Sequence, residues 1–271
     1  TITAASISAT DCDFRDINLA GAASGASPTR AGNCGGNTGI TFPAAKTVYW
    51  NLAGAQNWSA TGWAPGSGGT PDINNFPLAQ DTAVFDNTGS VTGTITINAA
   101  WNIGTFDASL RTSAMTLTTS TNAPVVYGDW KFGTGVTSSS TTGTINFVKN
   151  GTQTITSNGV QFGCPVTINH PSGTVQLADA LSLGSTRIFT LTAGTFDAAT
   201  YNVTTGHFSN GSTANTLRMG SGTWTLSGNA SIAAVWSLGT APTLIAGTST
   251  IALSDTSSVF GRIFVGGSLY Y

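Results

Sequence analysis

The sequence predicts an all-β chain, a right-handed parallel β-helix with coils of roughly 25 residues behind a loop-rich N-terminal region. Three observations predict it. Only 7% of the 271 residues are charged, with 9 Lys plus Arg and 11 acids, all of them Asp, so the Glu, Lys and Arg that normally fill exposed helix positions are scarce. Short runs alternate apolar and polar residues with period two, the pattern of half-buried strands. These runs recur along the chain at spacings that fit one or two turns of a single coil. An antiparallel β-sandwich is the alternative, since it also shows short strands at regular intervals, but it does not require successive segments to resemble one another.

Residues 1–48 form a loop-rich N-terminal segment. Residues 18–40 are rich in Gly, Ala, Ser and Asn, as in Gly32-Asn33-Cys34-Gly35-Gly36-Asn37, and are expected to be mainly loop. Residues 49–90 form an aromatic-rich capping or binding segment that starts at Tyr49-Trp50 and passes through Trp58, Trp63 and Phe76 to Phe85. Within it, residues 65–71 read as an exposed turn-rich loop. Residues 91–271 are the repeats. Gly93-Thr94-Ile95-Thr96-Ile97, Gly143-Thr144-Ile145-Asn146-Phe147, Gly173-Thr174-Val175-Gln176-Leu177, Gly222-Thr223-Trp224-Thr225-Leu226 and Gly247-Thr248-Ser249-Thr250-Ile251 each open on Gly-Thr, with gaps of 50, 30, 49 and 25 residues. A second echo joins Gly104-Thr105-Phe106-Asp107-Ala108 to Gly194-Thr195-Phe196-Asp197-Ala198. About seven coils at the ~4.8 Å strand spacing would make a rod of roughly 35 Å.

Composition excludes several functions. A net charge of −2 with the three lysines, Lys46, Lys131 and Lys149, isolated from one another leaves no basic cluster to displace counterions from nucleic acid. No apolar stretch approaches the ~20 residues of a membrane-spanning helix. The chain opens Thr1-Ile2-Thr3, as a processed form or a fragment would. Cys12, Cys34 and Cys164 are too dispersed for a metal-ligand pattern, and a Cys12–Cys34 disulfide and free buried thiols are both open readings. No cofactor motif is present.

The runs 191–198, 201–204 and 219–228, with Gly247-Thr248-Ser249-Thr250-Ile251 and Ser254-Asp255-Thr256-Ser257-Ser258, resemble repeats of virion proteins of tailed bacteriophages. Lys46-Thr47-Val48-Tyr49-Trp50-Asn51 resembles the same class. The likeness spans about residues 90–265 and implies a tail fibre, spike or surface decoration. By analogy it also implies self-association, with a trimer expected, contact with other virion proteins, and a place on the virion surface or outside the cell.

Candidate chemistry is sparse, and no catalytic or metal-binding set assembles from spacing. Asp107 and Asp197 occupy equivalent repeat positions and are expected to cap turns. Asp81, Asp86 and Asp129 are the acids to test for glycan cleavage, which needs two carboxylates about the scissile bond. Asp11, Asp13 and Asp16 lack the glycine turn and closing Glu of a calcium loop and suit a solvated loop with a local Arg15 pair. His170 and His207 have no companion ligands nearby. For glycan binding the candidates are Trp50, Trp58 and Trp63 as stacking faces, with Asn51, Gln56 and Asn57 as hydrogen-bonding neighbours. The competing reading of the three tryptophans is core packing. Trp101, Trp130, Trp224 and Trp236 are expected in the core or at subunit contacts. The leading function is mechanical and adhesive, with a polysaccharide-degrading spike and a bacterial surface adhesin or surface-layer protein as alternatives.

Overall fold

The computed structural model describes residues 1–89, 93–140, 142–211, 214–228, 234–239, 242–254 and 263–266. Parts of the repeat region, 91–92, 255–258 and 267–271 among them, lie outside the described residues. Among the described residues the only helical elements are two 3-10 turns, Gly21–Ala23 and Ile73–Asn75. Everything else regular is strand, as the missing Glu and the β-branched polar residues lead one to expect.

The strands stack as a parallel β-solenoid. On the first face the rungs are Thr47–Trp50, Thr82–Val84, Thr105–Asp107, Trp130–Lys131, Thr152–Thr156, the ends of Val166–Leu177 and Leu181–Asp197, then Asn215–Arg218 and Thr243–Ile245. Those nine rungs at ~4.8 Å span roughly 40 Å. Seven of them belong to the repeat region, one, Thr82–Val84, to the aromatic segment, and one, Thr47–Trp50, straddles that segment's start, so the solenoid already runs at Thr47. Register partners are about one coil apart: Phe106 pairs with Trp130, Trp130 with Ile155, and Ile155 with Leu177.

Two further parallel ladders complete each coil. One holds Gln56–Asn57, Thr94–Thr96, Met115–Thr118 and Val136–Ser139, and later Thr223–Leu226 and Thr250–Leu253. The other runs from Asn102–Ile103 through Val125–Val126 and Ile145–Phe147 to Ala234–Ser237 and Ile263–Val265. Among the described residues all ladders are parallel except a short antiparallel pairing of Tyr49 with Ala64 and Trp50 with Trp63, which rules out the facing antiparallel layers of a sandwich. The Gly-Thr signals therefore mark strands, not coils. Thr94, Ile145 and Thr174 start or lie in strands on three different faces, and only Thr223 and Thr250 are direct partners.

Inward residues of successive rungs build one continuous core from Val48 to Leu238. Aromatic rings stack along it, with Phe106 on Trp130 at 4.3 Å and Phe208 on Trp236 at 4.8 Å. The repeated motif gains its meaning here. A Cβ on Gly104 would lie 2.1 Å from the Asp81 carbonyl oxygen, and one on Gly194, at φ +83°, 2.0 Å from the His170 carbonyl oxygen, so in both copies the corner touches the preceding coil too closely for a side chain.

Residues 18–40 are not plain loop. Two-residue parallel rungs pair Ile2–Thr3 with Leu19–Ala20 and Asp13–Phe14 with Gly32–Asn33, and single bridges join Thr10 to Thr29, Asn18 to Thr38 and Ala26 to Ile40. Rungs so short give no readable alternation, while the abundant glycines supply positive φ at the turns, as at Gly25 and Gly35. This miniature ladder lies against the flank of the solenoid. Gln80 clasps it there, accepting from Asn33 N at 2.8 Å and donating to the Ala31 carbonyl at 3.2 Å.

Candidate functional site

The proposed sugar-stacking tryptophans are core residues. Trp50, Trp58 and Trp63 are each 1% exposed and pack on one another and on Phe85, with Trp58 and Trp63 centroids 4.8 Å apart. Their N–H groups are used internally: Trp50 Nε1 donates to the Leu52 carbonyl and Trp63 Nε1 to the Trp58 carbonyl. They seal the first coil, so no indole face remains for a ligand. Asn51 donates to the Gly69 carbonyl and pins the 65–71 loop. Gln56 Nε2 donates to the Ala53 carbonyl, and exposed Asn57 pairs in register with Thr96 on the flank. These six residues do not converge on a pocket.

The acids serve the backbone. Asp107 Oδ1 accepts from Ser109 N and Asp197 Oδ1 from Ala199 N, both two residues on, which are the turn caps expected of equivalent positions. Asp81 is 1% exposed and accepts from Lys46 N and Leu78 N. Burial raises its pKa above the usual carboxylate value, and those two amides pull it back. Asp86 caps Thr88 N, and Asp129 accepts from Thr154 N on the next coil. Buried Arg111 likewise spends its guanidinium on the carbonyls of Asp86, Ser113 and Ala114. Cys12, Cys34 and Cys164 are free, and burial pushes Cys34 up to about 11 and Cys164 to about 12, so neither buried thiol is a ready nucleophile at neutral pH.

A cleft of about 250 Å³ opens where the N-terminal ladder meets the solenoid. Trp101 and Phe76 line one side, their rings 5.1 Å apart and tilted 58°. Trp101 is half-buried, and its Nε1 donates to Asn98 Oδ1, which fixes the ring. Asp11, Arg30, Asp13 and Asn102 supply polar lining. Arg30 grips Asp11 through Nε–Oδ1 at 2.6 Å and Nη2–Oδ2 at 2.8 Å, and its Nη1 reaches Asn74 Oδ1 at 2.9 Å. Asp11 and Arg30 sit on neighbouring rungs, both in the left-handed region at φ 55° and 47°. The fork holds the Asp11 carboxyl below its ordinary pKa, chiefly through the side-chain hydrogen bond. Asn102 Nδ2 donates to Asp13 Oδ2 at 2.7 Å and ties the N-terminal ladder to the solenoid.

Among the described residues no three metal-ligating side chains gather, and no helix is long and apolar enough to cross a membrane. The Asp11–Asp13–Asp16 run disperses: Asp11 pairs with Arg30, Asp13 with Asn102, and Asp16 with Arg15 at 3.3 Å. A glycosidase's general acid needs a raised pKa, and the Asp11 carboxyl is shifted the other way. Sequence reasoning placed Trp101 in the core or at a subunit contact. Its one local signal was its position beyond the alternating run that ends at Ile97, between Asn98 and Asn102. No protein-family model matches the chain, and neither the curated proteins nor the solved structures contain a match.

Proposed function

We propose that this chain is a structural and adhesive component of a phage particle, a tail fibre, spike or surface decoration that works on the virion surface or outside the cell. The observation that carries the reading is the unbroken solenoid itself. A single core runs from Val48 to Leu238, while the acids singled out for glycan cleavage, Asp81, Asp86 and Asp129, are engaged by backbone amides, which suits a stiff element better than a catalyst. The phage assignment rests on the resemblance of residues 90–265 to virion repeats. Edge strands at the ends of a solenoid favour partners that cover them, so self-association, with a trimer expected, and contact with other virion proteins belong to the same proposal. Light scattering on the full chain tests the assembly, with a trimer expected and a monomer at all concentrations counting against it. Peptide mass spectrometry of purified particles of the encoding phage tests the location, and absence from those particles would leave the bacterial adhesin as the better reading.

A further inference from the structure

Resting on the adhesive reading, we propose that the cleft between the N-terminal ladder and the solenoid binds a neutral pyranose unit of a surface glycan, with Trp101 as its platform. The shape comes first. At about 250 Å³ the cleft lies at the small end of ligand sites, which run from ~300 Å³ upward, so it takes one or two sugar rings rather than a large ligand. It is partly open to solvent, so a longer chain can continue out of it.

The chemistry of the walls selects the ligand class. A pyranose has an apolar C–H face and a rim of hydroxyls, and it needs an aromatic surface beside paired donors and acceptors. Trp101 offers the surface, backed by Phe76 and fixed by its bond to Asn98. In the same lining, the partners of the Asp11–Arg30 fork and of the Asp13–Asn102 pair are bonded to each other but keep further N–H hydrogens and carboxylate lone pairs that sugar hydroxyls can use. Both pairs join separate segments, so the site is held in shape before the ligand arrives, which lowers the ordering cost of binding. Charge sets the last restriction. The lining holds two carboxylates, Asp11 and Asp13, against one guanidinium, Arg30, so uronates and sialic acids are disfavoured relative to neutral sugars.

The test uses the full chain with neutral and acidic oligosaccharides on a glycan array, followed by titration in solution. Tryptophan fluorescence gives a direct readout. The other six tryptophans are 1% exposed or less, so a collisional quencher reports on Trp101, and a bound neutral sugar should protect it. Trp101→Ala is expected to weaken binding at least tenfold, Asn102→Ala several-fold, and Trp101→Phe much less than Trp101→Ala, with unchanged melting of Asn102→Ala certifying the fold. Neutral binding that both Ala variants leave intact, or a preference for acidic sugars, overturns the cleft assignment but not the adhesive reading. The cleft assignment falls equally if labelled protein attaches to bacterial cells yet no array sugar binds. Failure of the wild type both to attach to cells and to assemble would instead remove the adhesive reading.

Discussion

Phe106 and Trp130 lie one above the other in the core, ring centroids 4.3 Å apart and planes 17° from parallel, because they are register partners on consecutive coils. Both are 0% exposed. Truncating such a ring costs about 3–5 kcal/mol, and Trp130→Ala should lower the free energy of urea unfolding by that amount. Trp130 Nε1 has no hydrogen-bond partner among the described residues, and an unmet buried donor itself costs ~1–3 kcal/mol. Trp130→Phe should therefore be far milder than Trp130→Ala. Equal losses would mean that the indole N–H is bonded in solution.

Gln153 holds a corner between coils. It is 0% exposed, donates through Nε2 to the carbonyls of Val126 and Gly128, and accepts at Oε1 from Lys149 N. Gln153→Leu fills the same space but strands the Lys149 amide and the Gly128 carbonyl, while the Val126 carbonyl keeps its bond from Val148 N, and each stranded group costs ~1–3 kcal/mol. A loss of at least ~2 kcal/mol by chemical denaturation is expected, and a neutral result would refute the corner's role.

Asp197 and Arg218 are register partners at 3.8 Å, as Asp107 and Lys131 are at 3.7 Å. The Arg218 side chain is 53% exposed, so the ion pair is worth only ~0–1 kcal/mol. Asp197 also caps Ala199, which sits at φ 51°. Asp197→Ala should then destabilise more than Arg218→Ala, and the reverse order in thermal melts would show that the pair, not the cap, matters.

Burial lowers the pKa of both His170 and His207 in the folded chain. Their unfolded values lie near 6.5, so below that pH the unfolded chain binds more protons, and stability falls as pH drops from 6.5 toward the folded pKa values. Melting temperature should decline between about pH 7.5 and 5.5, a window above ordinary carboxylate titration. The decline should shrink in His207→Gln. A flat profile would mean that the imidazoles keep their ordinary affinity for protons.

The repeat region was legible because inward positions are filled by Ile, Val, Leu, Phe and Trp at period two, and burial follows that alternation in Met115–Thr118 and Thr223–Leu226. The turn roles of Asp107 and Asp197 were legible too, since a cap acts two residues away. The coil was harder. Gly-Thr introduces strands on every face, so its spacing mixes strand and coil periods, and the strands after Gly143 and Gly173, at Ile145 and Thr174, fall on different ladders. Residues 1–41 escaped because two-residue rungs carry no period.

What the sequence by itself determined is local: extended backbone, the face each side chain takes, and the places where only glycine fits. These follow from sterics and alternation within a few residues. What only the tertiary structure decided is which tryptophans meet solvent. Within a window of sequence, Trp101 differs from Trp50, Trp58 and Trp63 only in lying beyond the alternating run that ends at Ile97. The closure of the first coil buries the three, whereas the N-terminal ladder, packing against the flank, stops short of covering the fourth. Exposure is set by segments far apart in the chain, such as Asp13 and Asn102, which are 89 residues apart and joined by one hydrogen bond.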